Sequence, residues 1–126
     1  MRQHAHAPYS RFRVGAAVLD ERGRIHVGCN VENASYGLTV CAERNAVAAA
    51  VAAGARAIRA VAVVTASRPP ASPCGACRQV LAELAAPETP ILLAAPRGPA
   101  LSHTLAALLP HSFTFPPKTP PNPRIP

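Results

Sequence analysis

Apolar and polar positions divide the chain into short segments whose period switches between that of a strand and that of a helix. Residues 12–19 (FRVGAAVL) form an apolar run of strand length. The Asp20-Glu21-Arg22-Gly23 stretch behind it has turn chemistry, with Gly23 supplying a positive φ. Residues 24–29 (RIHVGC) alternate as a return strand would. Residues 30–39 are rich in Asn, Ser and Gly and read as a loop. From Cys41 to Ala53 (CAERNAVAAAVAA) strong helix formers follow one another, and Gly54 stands where a helix closes. Residues 58–65 (IRAVAVVT) are mostly apolar, as in a strand covered on both faces. A loop over 66–73, a second helix from about Cys74 to Ala85, a short strand at 91–95 and a short helix near 102–109, closed by Pro110, complete the pattern. The order strand, strand, helix, strand, helix, strand, helix predicts an α/β fold with a mixed sheet and helices on its faces.

Composition narrows this picture. The 126 residues suit one domain, and with five aromatic residues in all, alanine and valine must fill most of the core. A core of small residues gains from oligomerisation, which hides more apolar surface. Residues 1–115 are expected to form the folded domain. From Pro116 the chain reads PPKTPPNPRIP, too dense in proline for helix or sheet, which predicts an extended or disordered tail over 116–126.

The formal charge of +7 comes nearly all from arginines scattered between Arg2 and Arg124. They form no run or stripe, which argues against a nucleic-acid partner. With six acidic residues in the whole chain, each one outside a turn needs a reason, and Glu32 and Glu43 stand out. No stretch reaches about 18 uninterrupted apolar residues, so no membrane span is expected. The first residues lack the apolar core of a signal peptide, and the expected location is the cytoplasm. In a reducing compartment four cysteines suggest a metal or catalysis rather than disulfides.

The cysteines have telling neighbours. Cys41 opens the first predicted helix; Cys74 and Cys77 open the second, within Pro73-Cys74-Gly75-Ala76-Cys77. Helix N-termini carry partial positive charge and free N–H groups, which favour the thiolate that binds zinc. Three protein ligands plus a water make a catalytic zinc site, and four make a structural one. Glu43 follows Cys41 by two residues. On a helix that offset turns the side chain by about 200° from the cysteine, yet in the first turn it can still reach the metal's open position. A carboxylate beside an activated water is a natural proton carrier. The pair C-A-E and P-C-G-A-C fits the all-cysteine form of the zinc nucleobase deaminase signature.

Cys-Gly-Ala-Cys alone also reads as a thioredoxin-type redox pair, but redox chemistry needs neither Cys41 nor Glu43. A four-sulfur structural site recruiting Cys29 is another reading, in which Cys29 would otherwise be a buried thiol. Arg44 follows Glu43: three thiolates on one zinc leave net negative charge, which a neighbouring guanidinium would offset, the other reading being an ordinary surface arginine. The five histidines show no ligand spacing.

The ordered segments APYSRFRVGAAV, GCNVENASYG, CAERNA, SPCGACRQVL and LLPHSF, spanning Ala7 to Phe113, together resemble the small homotetrameric cytidine deaminases. The resemblance implies a three-layer α/β/α sandwich around a mixed five-stranded sheet, one zinc per chain, and a homotetramer with shared active sites. The implied reaction is hydrolytic deamination of cytidine and deoxycytidine to uridine and deoxyuridine with release of ammonia. Cys41, Cys74 and Cys77 match the metal ligands and Glu43 the proton carrier. Asn30 and Glu32 match residues that bind the ribose 3′-hydroxyl, with Asn33 in the same segment. Phe12 matches a residue lining the pyrimidine pocket. Ala34 and Tyr36 match residues near the sugar, and Phe113 an aromatic that reaches the base from a neighbouring subunit. Members of that family usually carry a further helix ahead of the APYS segment, where this sequence has MRQHAH. A blasticidin S deaminase shares the two cysteine patterns, and a non-catalytic zinc module is the alternative from another class.

Overall fold

A computed structural model describes residues 1–115; the expected proline-rich tail, 116–126, lies outside the described residues. The strands are β1 (Gly15–Asp20), β2 (Ile25–Cys29), β3 (Ile58–Val64), β4 (Pro90–Ala94) and β5 (Leu101–Thr104); the helices are α1 (Ala42–Ala52), α2 (Gly75–Leu84) and α3 (Leu105–Leu108). The strands form one sheet in the order β2-β1-β3-β4-β5. Only β3 and β4 run parallel, joined through α2; the other neighbours are antiparallel. The mixed five-stranded sheet with helices is therefore as expected, and four of its strands fall close to where the hydrophobic pattern puts them.

The β1–β2 hairpin closes as its turn residues dictate. Gly23 takes φ 77°, and the Asp20 carboxylate accepts from the Arg22 and Arg24 amides at 2.9 Å each. Helix α1 ends before Gly54, which adopts φ 93°.

Two segments depart from the pattern. Residues 12–14 read as the start of a strand but stay outside β1. The Asn30 side chain takes their backbone groups, accepting from Val14 N and donating to Phe12 O, both at 2.8 Å. This turns Phe12 away from the sheet and toward a cavity. The helix expected at 102–109 is split: residues 101–104 pair with β4 as an edge strand, and only Leu105–Leu108 are helical, capped by the Thr104 hydroxyl. Pairing with an existing edge outweighs the weak local preference of Leu-Ser-His-Thr.

The core lies on one face of the sheet, where Ala16, Val18, Val61, Val63, Ile91 and Leu93 meet Ala46, Val47 and Ala50 of α1, Leu81 of α2 and Leu105 of α3. Contact between α1 and β2 is very close. A β-carbon on Gly28 would lie 2.5 Å from both Ala42 O and Ala46 N, so only glycine lets the helix settle there. The expected helix layer on both faces is not seen among the described residues: α1, α2 and α3 share the core face, and the opposite face carries a single 3-10 turn, Arg2–His4, packed on Gly15. Ile25, Val27 and Leu92 remain exposed there.

Candidate functional site

Cys41 and Cys74 are both helix caps. Each has extended backbone, φ −70° and ψ 156° at Cys41, φ −64° and ψ 167° at Cys74, immediately before α1 and α2. The two helices touch, and their N-termini bring the cysteines together. The sulfur atoms of Cys41, Cys74 and Cys77 all lie within 4.8 Å of one another, with Cys41 Sγ and Cys74 Sγ 3.9 Å apart. Tetrahedral zinc with Zn–S bonds of about 2.3 Å spaces its sulfurs about 3.8 Å apart, so this set fits the ion. The cysteines are all free thiols. Cys29 lies at the end of β2 and is not part of the cluster, which leaves the four-sulfur reading without its fourth ligand among the described residues.

The electrostatics of the trio point the same way. Burial works against ionisation of the Cys74 thiol. Hydrogen bonds from the Cys77 and Ala76 amides and the neighbouring thiols outweigh it and draw the thiol below its usual value. Cys77, in contrast, is pushed far up by burial, by the nearby Glu43 charge and by Cys41 and Cys74. One thiolate is easily formed; further ones repel each other until a cation takes the charge.

Glu43 sits in the first turn of α1 and is 5% exposed. Because Cys41 is a cap with extended backbone rather than a helical residue, the 200° offset of a regular helix does not separate the two. Both line one cavity of about 230 Å³, together with Phe12, Asn30, Glu32 and Cys74. Burial pushes the Glu43 carboxyl above its usual value, against weaker opposing hydrogen bonds and the Arg44 charge. Arg44 Nη2 donates to Thr39 O at 3.0 Å and reaches Cys41 Sγ at 3.9 Å, the contact expected of a cation beside thiolates.

The polar wall of the cavity is braced from within. Asn30 is buried, with one Nδ2 proton and its Oδ1 committed to the 12–14 segment; the side chain offers two N–H donors, and the second has no protein acceptor among the described residues. Glu32 accepts from the Tyr9 amide at 2.9 Å, the Ser10 amide at 3.2 Å and the Ser10 hydroxyl. Tyr36 stands at an adjoining depression of about 360 Å³ with Tyr9, its ring edge-on to Tyr9 at 5.8 Å. Asn33 caps the neighbouring turn through Ser35 N, and neither it nor Ala34 lines the cavity of the cysteines. Phe113 is 68% exposed, pairs edge-on with Phe115 and lies outside that cavity.

Four contributors escaped the sequence reading. Ser10 lines both depressions, and Thr65 and Ala71 line the cavity that holds Glu43. Arg78 donates to Pro73 O at 2.8 Å, Ser72 Oγ at 2.8 Å and Leu108 O at 2.6 Å, tying the approach to Cys74 to the end of α3. The only sequence hint was that Arg78 follows directly after Cys77, a position more often given to an exposed helix residue.

Comparison with known proteins agrees with this geometry. Residues 1–93 match the family described as the cytidine and deoxycytidylate deaminase zinc-binding region. The chain is 49% identical over 113 residues to the cytidine deaminase of Sporosarcina psychrophila, covering 90% of this chain and 83% of that protein. It is 50% identical over 113 residues to that of Halalkalibacterium halodurans, covering 90% and 86%. Among solved structures, cytidine deaminase from Burkholderia pseudomallei superimposes with a TM-score of 0.85 at 48% identity, over 89% of this chain and 90% of that one. The enzyme from Mycobacterium tuberculosis gives 0.76 at 44% identity, over 90% and 89%.

Proposed function

The chain belongs to the cytidine and deoxycytidylate deaminase family, and from that premise we propose that it hydrolyses the exocyclic C–N bond of cytidine and deoxycytidine, yielding uridine or deoxyuridine and ammonia. The observation that carries this reading is the convergence of three sulfurs beside a buried carboxylate, at a cavity lined by Cys41, Cys74 and Glu43 together with Asn30 and Glu32. Cys41, Cys74 and Cys77 hold one zinc ion per chain, which supplies an activated water at neutral pH when bound.

The protein's own groups do the rest. Glu43, buried beside the sulfurs, takes a proton from the attacking water and delivers it to N3 of the ring. It then carries a proton to the departing amino group. Its burial excludes bulk water that would otherwise exchange those protons. Phe12 lines the base pocket. Asn30 offers its second Nδ2 proton, and Glu32 its remaining acceptor site, to the sugar 3′-hydroxyl, a group that both donates and accepts.

Asn33, Ala34 and Tyr36 shape the sugar edge. Phe113, exposed here, reaches the base of a neighbouring copy in a homotetramer with shared sites. Apolar exposure at Phe113 and Phe115 supports that assembly. We place the enzyme in the cytoplasm; among the described residues no helix is long and apolar enough to cross a membrane.

The test is an absorbance assay of zinc-assayed protein with cytidine, deoxycytidine and blasticidin S. Turnover of the two nucleosides is expected, and turnover of blasticidin S alone would replace the reading by its nearest rival. Glu43→Gln should keep the zinc and lose activity by about 100-fold or more. Near-normal turnover in that variant would remove Glu43 from the mechanism.

A further inference from the structure

We propose that Ser10 is a positioning residue for sugar recognition: its hydroxyl aims the Glu32 carboxylate at the cavity. This rests on the reading of Glu32 as the sugar-binding carboxylate.

Ser10 and Glu32 are 22 residues apart, yet they are joined twice. Ser10 Oγ donates to Glu32 Oε1, and Ser10 N donates to Glu32 Oε2 at 3.2 Å, beside Tyr9 N at 2.9 Å. The hydroxyl also accepts from Phe12 N at 3.0 Å. The chain bends between them at Arg11, a non-glycine residue at φ 58°. That left-handed step costs free energy, and the bridge returns it. One oxygen atom thus bonds both the carboxylate and the Phe12 backbone, a segment that Asn30 holds independently through Phe12 O and Val14 N.

The donors around Glu32 show what this achieves. A carboxylate has about four acceptor sites. Tyr9 N and Ser10 N occupy those on Oε2, and the Ser10 hydroxyl occupies one on Oε1. A single site on Oε1 remains, and a neutral sugar hydroxyl needs a single acceptor. The Ser10 hydroxyl is also the largest influence holding the Glu32 carboxyl below its usual value, with burial opposing. Without it, Oε1 loses the partner it has among the described residues, and the carboxylate is held through Oε2 alone.

A structural role alone would weaken binding of every substrate alike. A role through Glu32 weakens only substrates that carry the 3′-hydroxyl. The experiment compares steady-state kinetics of Ser10→Ala, Ser10→Thr and Glu32→Gln on cytidine and 3′-deoxycytidine, with zinc content and melting curves as controls. Ser10→Ala should raise KM for cytidine by about tenfold, change kcat by less than about twofold, and leave KM for 3′-deoxycytidine within about twofold of the parent. Ser10→Thr, which keeps the hydroxyl, should restore most of the loss. If Ser10→Ala does not fold, Ser10→Cys, a near-isosteric weak donor, should show the same selective pattern. An equal rise in KM for both substrates, or a fall in kcat at constant KM, would overturn the proposal. The Glu32→Gln arm separates two failures. If it removes the preference for the 3′-hydroxyl and Ser10→Ala does not, Ser10 is dismissed and Glu32 stands. If it leaves that preference intact, the sugar role of Glu32 falls and takes the Ser10 proposal with it.

Discussion

A methyl group added at Gly28 has no room. Its position would be 2.5 Å from Ala42 O, 2.5 Å from Ala46 N and 3.0 Å from the Asn45 carbonyl carbon. Carbon contacts are comfortable from about 3.5 Å, so α1 must retreat from β2 by about 1 Å. The obstructing atoms are helix backbone and cannot turn aside. Overpacking of this kind costs about 1–3 kcal/mol. For a chain of this size that lowers the melting temperature by about 4–12 °C. The functional effect follows from where α1 leads. Its cap is Cys41 and its first turn holds Glu43, whereas Cys74 and Cys77 belong to α2. A shift of α1 alone opens the sulfur triangle and moves the carboxylate. A displacement near 1 Å at a catalytic centre lowers kcat/KM by about 100-fold. The assay for Gly28→Ala is a melting curve, zinc retention against a chelator, and cytidine turnover. Gly37→Ala is the control, because a β-carbon there meets nothing within 4 Å. A Gly28→Ala protein with parental melting temperature, zinc retention and turnover would refute the claim that this contact seats the metal helix.

Two further outcomes follow from the same geometry. Cys74→Ala should lose zinc in metal analysis of the purified protein, because two sulfurs leave a catalytic site short of a ligand; unchanged zinc content would reject Cys74 as a ligand. Asp20 is fully buried and accepts from Arg24 Nε at 2.8 Å and His26 Nε2 at 2.9 Å. Burial opposes its ionisation, but these partners and the Arg22 and Arg24 amides hold its carboxyl well below the usual range. The folded value is below the unfolded one, so this contribution is complete above about pH 4 and fades as pH falls. Asp20→Asn should therefore be less stable than the parent at pH 7 in urea titration, with the gap narrowing at pH 3. A gap that is independent of pH would show that the carboxylate charge is not what stabilises the turn.

The chemistry of the site was legible in the chain because it resides in residue types at helix starts, and both are local. Cys41-Ala42-Glu43 and Cys74-Gly75-Ala76-Cys77 announce a sulfur-bound metal with a carboxylate beside it before any coordinates are known. The hairpin turn at Asp20–Gly23 and the glycine stop at Gly54 are local in the same sense. What tertiary structure alone decided involves partners far apart in sequence. Residues 101–104 became a strand because β4 presented an open edge to them. Asn30, expected only at the sugar, also holds residues 12–14 off the sheet and so shapes the cavity that Phe12 lines. Ser10 gained a role only when a residue 22 positions away met it, and Gly28 only when a helix came to rest on its backbone. Local sequence sets which groups are present and which conformations cost little; the placement of those groups to within an ångström comes from close packing, which no single segment contains.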